Sequence, residues 1–130
     1  MIDDNPDSRL LLVRTLQRRF SSAAIIECQD PDVAIRYAGS HRPSAIIAHR
    51  AGEMDGLTLI GELRAANATV PIVMVSGIDR TKQALAAGAT RFLHYDEWLR
   101  IGTVVADLIE APRSSSLITG ADGRSTAGAS

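Results

Sequence analysis

Ser44-Ala45-Ile46-Ile47-Ala48-His49-Arg50-Ala51-Gly52-Glu53-Met54-Asp55-Gly56 is an apolar run that breaks into a loop and closes on Met54-Asp55-Gly56. A short uninterrupted apolar run reads as a strand buried on both faces, as in a parallel sheet. Gly56 leads into a third helix bearing Leu59, Ile60 and Leu63. The carboxyl end of such a strand is where an open parallel sheet presents its chemistry. Ala48 stands there, and a methyl group is neither a nucleophile nor a cation ligand.

Working outward, short apolar runs alternate with helical patterns, the signature of βαβ units. A first helix starts near Pro6-Asp7, with Asp7 as cap and dipole complement and Leu12, Val13, Leu16 and Phe20 as its buried stripe. A strand follows at about 24–28. A second helix opens on Asp30-Pro31 and closes at Gly39. Pro71 to Val75 is the next strand, and a short helix over about 80–87 ends at Gly88. Phe92 and Leu93 lie in the last strand. Trp98, Ile101, Val105 and Leu108 recur at helical spacing beyond it, with Trp98 as a packing anchor. The expected layout is one domain over residues 1–110 and a Ser/Thr/Gly/Ala-rich tail over 111–130, too poor in large apolar residues to order itself. Only Met1 and Ile2 precede Asp3-Asp4, so a chain that starts at Met1 has a first strand cut to a stub, with unpaired edges on its neighbours, and a misassigned or truncated start stays the alternative.

The 130 residues carry a net charge of −1 with 45% hydrophobic and 22% charged side chains, which gives no footprint for nucleic acid. Arg14, Arg18 and Arg19 read as a solvated helix face. The single cysteine, Cys28, excludes an internal disulfide and reads as a small buried hydrophobe in a reducing compartment. No apolar run approaches the roughly 18 residues that span a bilayer. The expectation is a cytoplasmic protein with no membrane partner.

The strand ends together present Asp3 and Asp4, Ala48, Ser76 and Tyr95. Ile2-Asp3-Asp4-Asn5, Met54-Asp55-Gly56, Pro71-Ile72-Val73-Met74-Val75-Ser76-Gly77 and Ala87-Gly88-Ala89-Thr90-Arg91-Phe92-Leu93 follow in fixed order. In that order and spacing the chain resembles the receiver domain of bacterial two-component response regulators (CheY-like), in a degenerate form. The resemblance implies a flavodoxin-like, doubly wound parallel sheet of order 2-1-3-4-5 with helices on both faces. It also implies that an acidic pair and an acceptor aspartate hold Mg2+ while the aspartate takes a phosphoryl group from a histidine kinase. A hydroxyl and a lysine then bind phosphate oxygens.

On this pattern Asp3 and Asp4 keep the acidic pair as a weak or vestigial metal site, and Ser76 keeps the phosphate-sensing hydroxyl. Ala48 replaces the acceptor and Gly52 the proline of the following loop. Tyr95 replaces the lysine and Asp96 the proline after it. Phe92 keeps the aromatic switch position without a phenolic hydroxyl, and the stretch from Ser76 to Gly88 is about a turn short. No catalytic residue is expected, and Mg2+ at most weakly. Repulsion within the acidic pair should raise at least one carboxyl pKa. His49 should face away from the acceptor's place because successive strand side chains alternate. His94 and His41 read as packed or surface histidines.

The departures imply a single-domain signalling module that is not an enzyme and is not phosphorylated at Ala48. It would contact a histidine kinase or downstream target through the face of the fourth helix, fifth strand and fifth helix. A homodimer through its open edges stays an alternative. So does an ordinary phosphorelay regulator with an atypical acceptor. A small Mg-dependent phosphate-handling enzyme using Asp3 and Asp4 is the reading from another class, but no glycine-rich phosphate loop accompanies it.

Overall fold

The computed structural model describes residues 1–110, so the expected tail over 111–130 lies outside the described residues. Three parallel strands, β1 (Ile46–Ala48), β2 (Ile72–Ser76) and β3 (Arg91–His94), lie in the order β1-β2-β3. Ile2 adds single parallel bridges to Cys28 on one side and Ala48 on the other. Segments around 28, 2, 48, 74 and 92 therefore lie side by side, which is the doubly wound order 2-1-3-4-5 with its first strand cut to a stub. Five α-helices accompany them: α1 (Pro6–Arg19), α2 (Pro31–Ser40), α3 (Gly56–Ala66), α4 (Thr81–Ala87) and α5 (Ile101–Glu110). None of the described helices is long and apolar enough to cross a membrane.

Alternation along the strands builds two cores. Ile46, Ala48, Ile72 and Met74 pack with Ile2 against Leu59, Ile60 and Leu63 of α3. Ile47, Val73, Val75 and Leu93 face the other way, against Leu12 and Leu16 of α1 and Ile101, Val104 and Val105 of α5. Arg14, Arg18 and Arg19 are exposed, as read from the sequence, and Arg19 pairs with Glu110 at 3.0 Å.

Several local expectations need correction. The cap of α1 is Asn5, not Asp7; its Oδ1 accepts from the Asp7 and Ser8 amides. Helix α2 runs past Gly39 to Ser40, where the His41 ring stacks on Tyr37 at 3.9 Å. Trp98 lies on a 3₁₀ stretch (Tyr95–Arg100) ahead of α5 rather than on it. Cys28 is only partly buried. Residues 24–27 form no strand: Cys28 makes the one bridge there among the described residues, and Met1 N bonds to Ile26 O at 2.9 Å.

Helix α4 ends as read. Gly88 takes a left-handed φ of 118°, and a Cβ there would stand 2.8 Å from Arg64 Cγ. Gly88→Ala combines that contact with left-handed strain, so it should lower stability by about 1–2 kcal/mol in urea unfolding with an unchanged m-value.

Candidate functional site

Register decides which side chains meet at the carboxyl end of the sheet. Ile2 N donates to Ile47 O at 2.8 Å, His49 N to Ile2 O at 2.9 Å, and Asp4 N to Arg50 O at 3.2 Å. Ile2 is thus level with Ala48, and Asp3 with His49. Residues level with one another on neighbouring strands share a face. Alternation does turn His49 away from Ala48, as expected, but it turns His49 onto the face of Asp3.

Asp3 is fully buried at 0% exposure and accepts three hydrogen bonds. The Asn5 amide donates to Oδ1 at 2.9 Å, and the Ser8 hydroxyl and His49 Nδ1 donate to Oδ2, the latter at 3.0 Å. An ionised carboxylate can only accept, so Nδ1 carries a proton. The His49 side chain is 5% exposed, and its ring stacks on Tyr95 with centroids 4.7 Å apart and planes 9° from parallel. Arg9 closes the cluster from outside, donating to Asp3 O at 2.7 Å and pairing with Glu27 at 3.0 Å.

Burial pushes the Asp3 carboxyl up, but hydrogen bonds from His49, Ser8 and the Asn5 amide outweigh it and hold the group below the ordinary carboxylate value. This corrects the expectation of a pKa raised by repulsion within the acidic pair. The two carboxylates differ in setting: Asp3 is buried and bonded to Asn5, Ser8 and His49, whereas Asp4 is exposed and sits over the loop at Gly52.

The other site residues fall as follows. Ala48 is 3% exposed within the apolar cluster around Met74 and Ile2. Ser76 Oγ accepts from the Ile78 amide at 3.1 Å, a satisfied strand-end hydroxyl. Phe92 is partly buried against the α3-side core. Asp55 caps α3 through the Leu57 and Thr58 amides and pairs with Arg80 at 3.2 Å, so it serves the helix. His94 Nδ1 accepts from the Asp96 amide at 3.2 Å.

This donor set does not fit a divalent cation. Such an ion takes about six oxygen ligands, whereas Asp3 is committed to protein donors and the buried Ala48 side chain offers no oxygen. Among the described residues no group of three or more His, Cys, Asp or Glu is placed to hold a metal. Ser8 and Arg9 are members of the cluster that sequence reading passed over, and His49 was read as turned from Ala48 without being paired with Asp3. The signal lay in the pairing of Ile2 with Ala48, which puts positions 3 and 49 level.

Comparisons with known proteins agree with the fold. The family described as the response regulator receiver domain matches residues 1–96. No curated protein matches at a significant level. Among solved structures, the receiver domain of the response regulator NarL from Mycobacterium tuberculosis is 27% identical, with a TM-score of 0.73 over 85% of this chain and 93% of that one. A Burkholderia pseudomallei response regulator with a phosphorylated aspartic acid and a calcium ion is 24% identical, with a TM-score of 0.68 over 88% and 70%. The receiver domain of the sensor histidine kinase PA1611 from Pseudomonas aeruginosa, with magnesium in its active-site cleft, is 21% identical, with a TM-score of 0.72 over 85% and 94%. With the sheet order, the two-sided helical packing and a family match over 96 of 130 residues, the chain belongs to the response regulator receiver domain family of two-component signalling.

Proposed function

We propose that this chain is a receiver module that takes no phosphoryl group at Ala48 and works by protein contact. The observation that carries the reading is the methyl of Ala48 at the strand end, beside an Asp3 whose oxygens are already taken by Ser8, Asn5 and His49. Aspartyl phosphorylation needs an oxygen nucleophile and a cation to offset the transferring charge, and neither requirement is met by these residues. Tyr95, stacked on His49, is read as the replacement for the family's lysine, and a phenol ring does not replace an ammonium's charge. The module is read as a cytoplasmic signalling protein rather than an enzyme, without nucleic-acid or membrane partners.

Contact is assigned to the face of α4, β3 and α5, toward a histidine kinase or a downstream target. Ile78 before α4, Leu85 on α4 and Leu99 before α5 leave large apolar side chains exposed, which supports that assignment. Incubation with a small phosphodonor and Mg2+, followed by intact-mass measurement, tests the reading. The expected result is no phosphoryl mass gain; a base-labile adduct would show that an aspartate is the acceptor after all.

A second reading rests on one observation. Asp3 holds His49 Nδ1, which leaves Nε2 as the ring nitrogen an oriented imidazole would use to take a phosphoryl group. Against it stands the ring's position between Asp3 and Tyr95, with 5% of the side chain exposed. An acid-labile adduct lost in His49→Gln would favour this atypical acceptor.

A further inference from the structure

Strand β3 runs into the 3₁₀ stretch Tyr95–Arg100, which has little of its own to hold it. Runs beyond about four residues are uncommon in this conformation because its hydrogen bonds are poorly aligned. This one has six and breaks at Glu97, where φ is −102° and ψ is 27°. None of its residues is fully buried, and the bond that caps it, from the Asp96 amide to His94 Nδ1, is exposed. The Arg100–Glu97 pair lies within the stretch and ties it to nothing else. Yet the stretch carries Trp98 and Leu99 to the head of α5, and Leu99 stands 64% exposed on the face assigned to protein contact.

Sheet register brings a fixed ring to this stretch. Ala48 is level with Met74, so His49 comes level with Val75, and Val75 is level with Leu93. Val75 and Leu93 face the α1/α5 core, and Tyr95, two residues beyond Leu93, stays on that side. His49 is held there twice: its amide donates to Ile2 O at 2.9 Å, and Nδ1 donates to the buried Asp3 at 3.0 Å. Tyr95 lies nearly parallel to that imidazole, with ring centroids 4.7 Å apart. The first side chain of the irregular stretch is thus seated on a ring that cannot shift without breaking its bond to a buried carboxylate. Trp98 rests on the same core further along and is only partly buried.

We propose that the His49–Tyr95 stack is an anchor that presets the contact face. Through it Asp3, bonded also to Ser8 of α1, holds the 3₁₀ stretch in one arrangement, and with it Trp98 and Leu99. Tyr95 is a positioning residue in this scheme. A stacked pair of planar rings restrains tilt as well as distance, whereas an aliphatic side chain would fill the space without fixing a plane. The face then stands ready with no event at the strand end. That a preset face meets a partner rests on the contact reading above, whereas the anchor concerns the stretch alone; phosphoryl mass gain bears on the first and Trp98 on the second.

Trp98 is the single tryptophan of the chain, so its fluorescence reports on the stretch. In the full chain, Tyr95→Leu should raise the acrylamide quenching constant of Trp98 at least about twofold. Exchange of the Ile101 amide, which donates to Trp98 O, should quicken roughly fivefold, the factor for losing one aromatic pair. Exchange in β2 should change by less than about twofold. Tyr95→Phe keeps the ring and should match the parent throughout. His49→Gln keeps a donor to Asp3 without the ring and should reproduce the Tyr95→Leu changes, and combining the two should add less than about twofold. Unchanged Trp98 and Ile101 in Tyr95→Leu, equal losses in Tyr95→Phe, or quickened exchange shared by β2 overturns the anchor. So do additive effects of the two substitutions, or failure of either variant to fold, which would make the ring part of the general core.

Discussion

Asp3→Ala should lower the stability of the domain by about 3 kcal/mol, equivalent to a fall in thermal midpoint of roughly 15 °C. The substitution removes a fully buried acceptor and leaves the Asn5 amide, the Ser8 hydroxyl and the His49 Nδ1–H without their partner. Each stranded donor carries a desolvation cost of about 1–3 kcal/mol, partly relieved by relaxation. A domain of this size has a total stability on the order of 5–10 kcal/mol, so this one carboxylate governs whether the module stays folded. Asp3→Asn keeps the shape and should lose less, because its amide oxygen still accepts from one or two of the donors. Thermal unfolding of the two variants beside the parent checks the ranking; equal losses would mean that the charge, not the number of donors, is what matters.

The same group sets an acid limit. Its folded pKa lies below the unfolded value, so its contribution is fully present above the unfolded carboxylate range. That contribution disappears as pH falls through the folded pKa, below roughly pH 4. The parent should therefore lose stability in that window, and Asp3→Ala should show a flatter acid limb. Parallel acid limbs in urea titrations would assign acid unfolding to other carboxylates.

The sheet was legible because burial writes itself into short apolar runs. Ile46 and Ile47, and Ile72 to Val75, have no polar alternation and become the strands buried on both faces. Three things were not. Whether 24–27 pairs depends on a neighbour rather than on its own propensity, and the bond from the Met1 nitrogen to Ile26 O does not make a ladder. The cap of α1 depends on which of Asn5 and Asp7 reaches the free amides, a matter of backbone angles at Asn5. The third is the pairing of Asp3 with His49, 46 positions apart. Alternation was applied correctly within β1, but which residues of another strand share that face follows from a long-range register that neither segment encodes alone. Ala48 needed no register, because its place is fixed by local spacing to Met54-Asp55-Gly56.

Ala48→Asp should give a domain whose stability responds to Mg2+ more strongly than the parent's. The introduced carboxylate would enter a 3%-exposed position in an apolar cluster beside Met74 and Ile2. Without a cation, desolvation raises its pKa and lowers stability by about 1–3 kcal/mol. With Mg2+ at tenfold over its dissociation constant, binding returns about 1.4 kcal/mol, a rise of several degrees in thermal midpoint that the parent should lack. Asp4, exposed over the loop at Gly52, is the carboxylate free to join it, because Asp3 stays committed to Ser8 and His49. A phosphodonor adduct should then form only with Mg2+ and only weakly, since Tyr95 offers no positive charge to the phosphoryl oxygens. Adding His49→Ala should free Asp3 and strengthen the Mg2+ response if the imidazole is what withholds it. A variant that folds yet shows no midpoint shift with Mg2+ would mean that the end of the sheet has lost the alignment of a cation site as well as the acceptor itself.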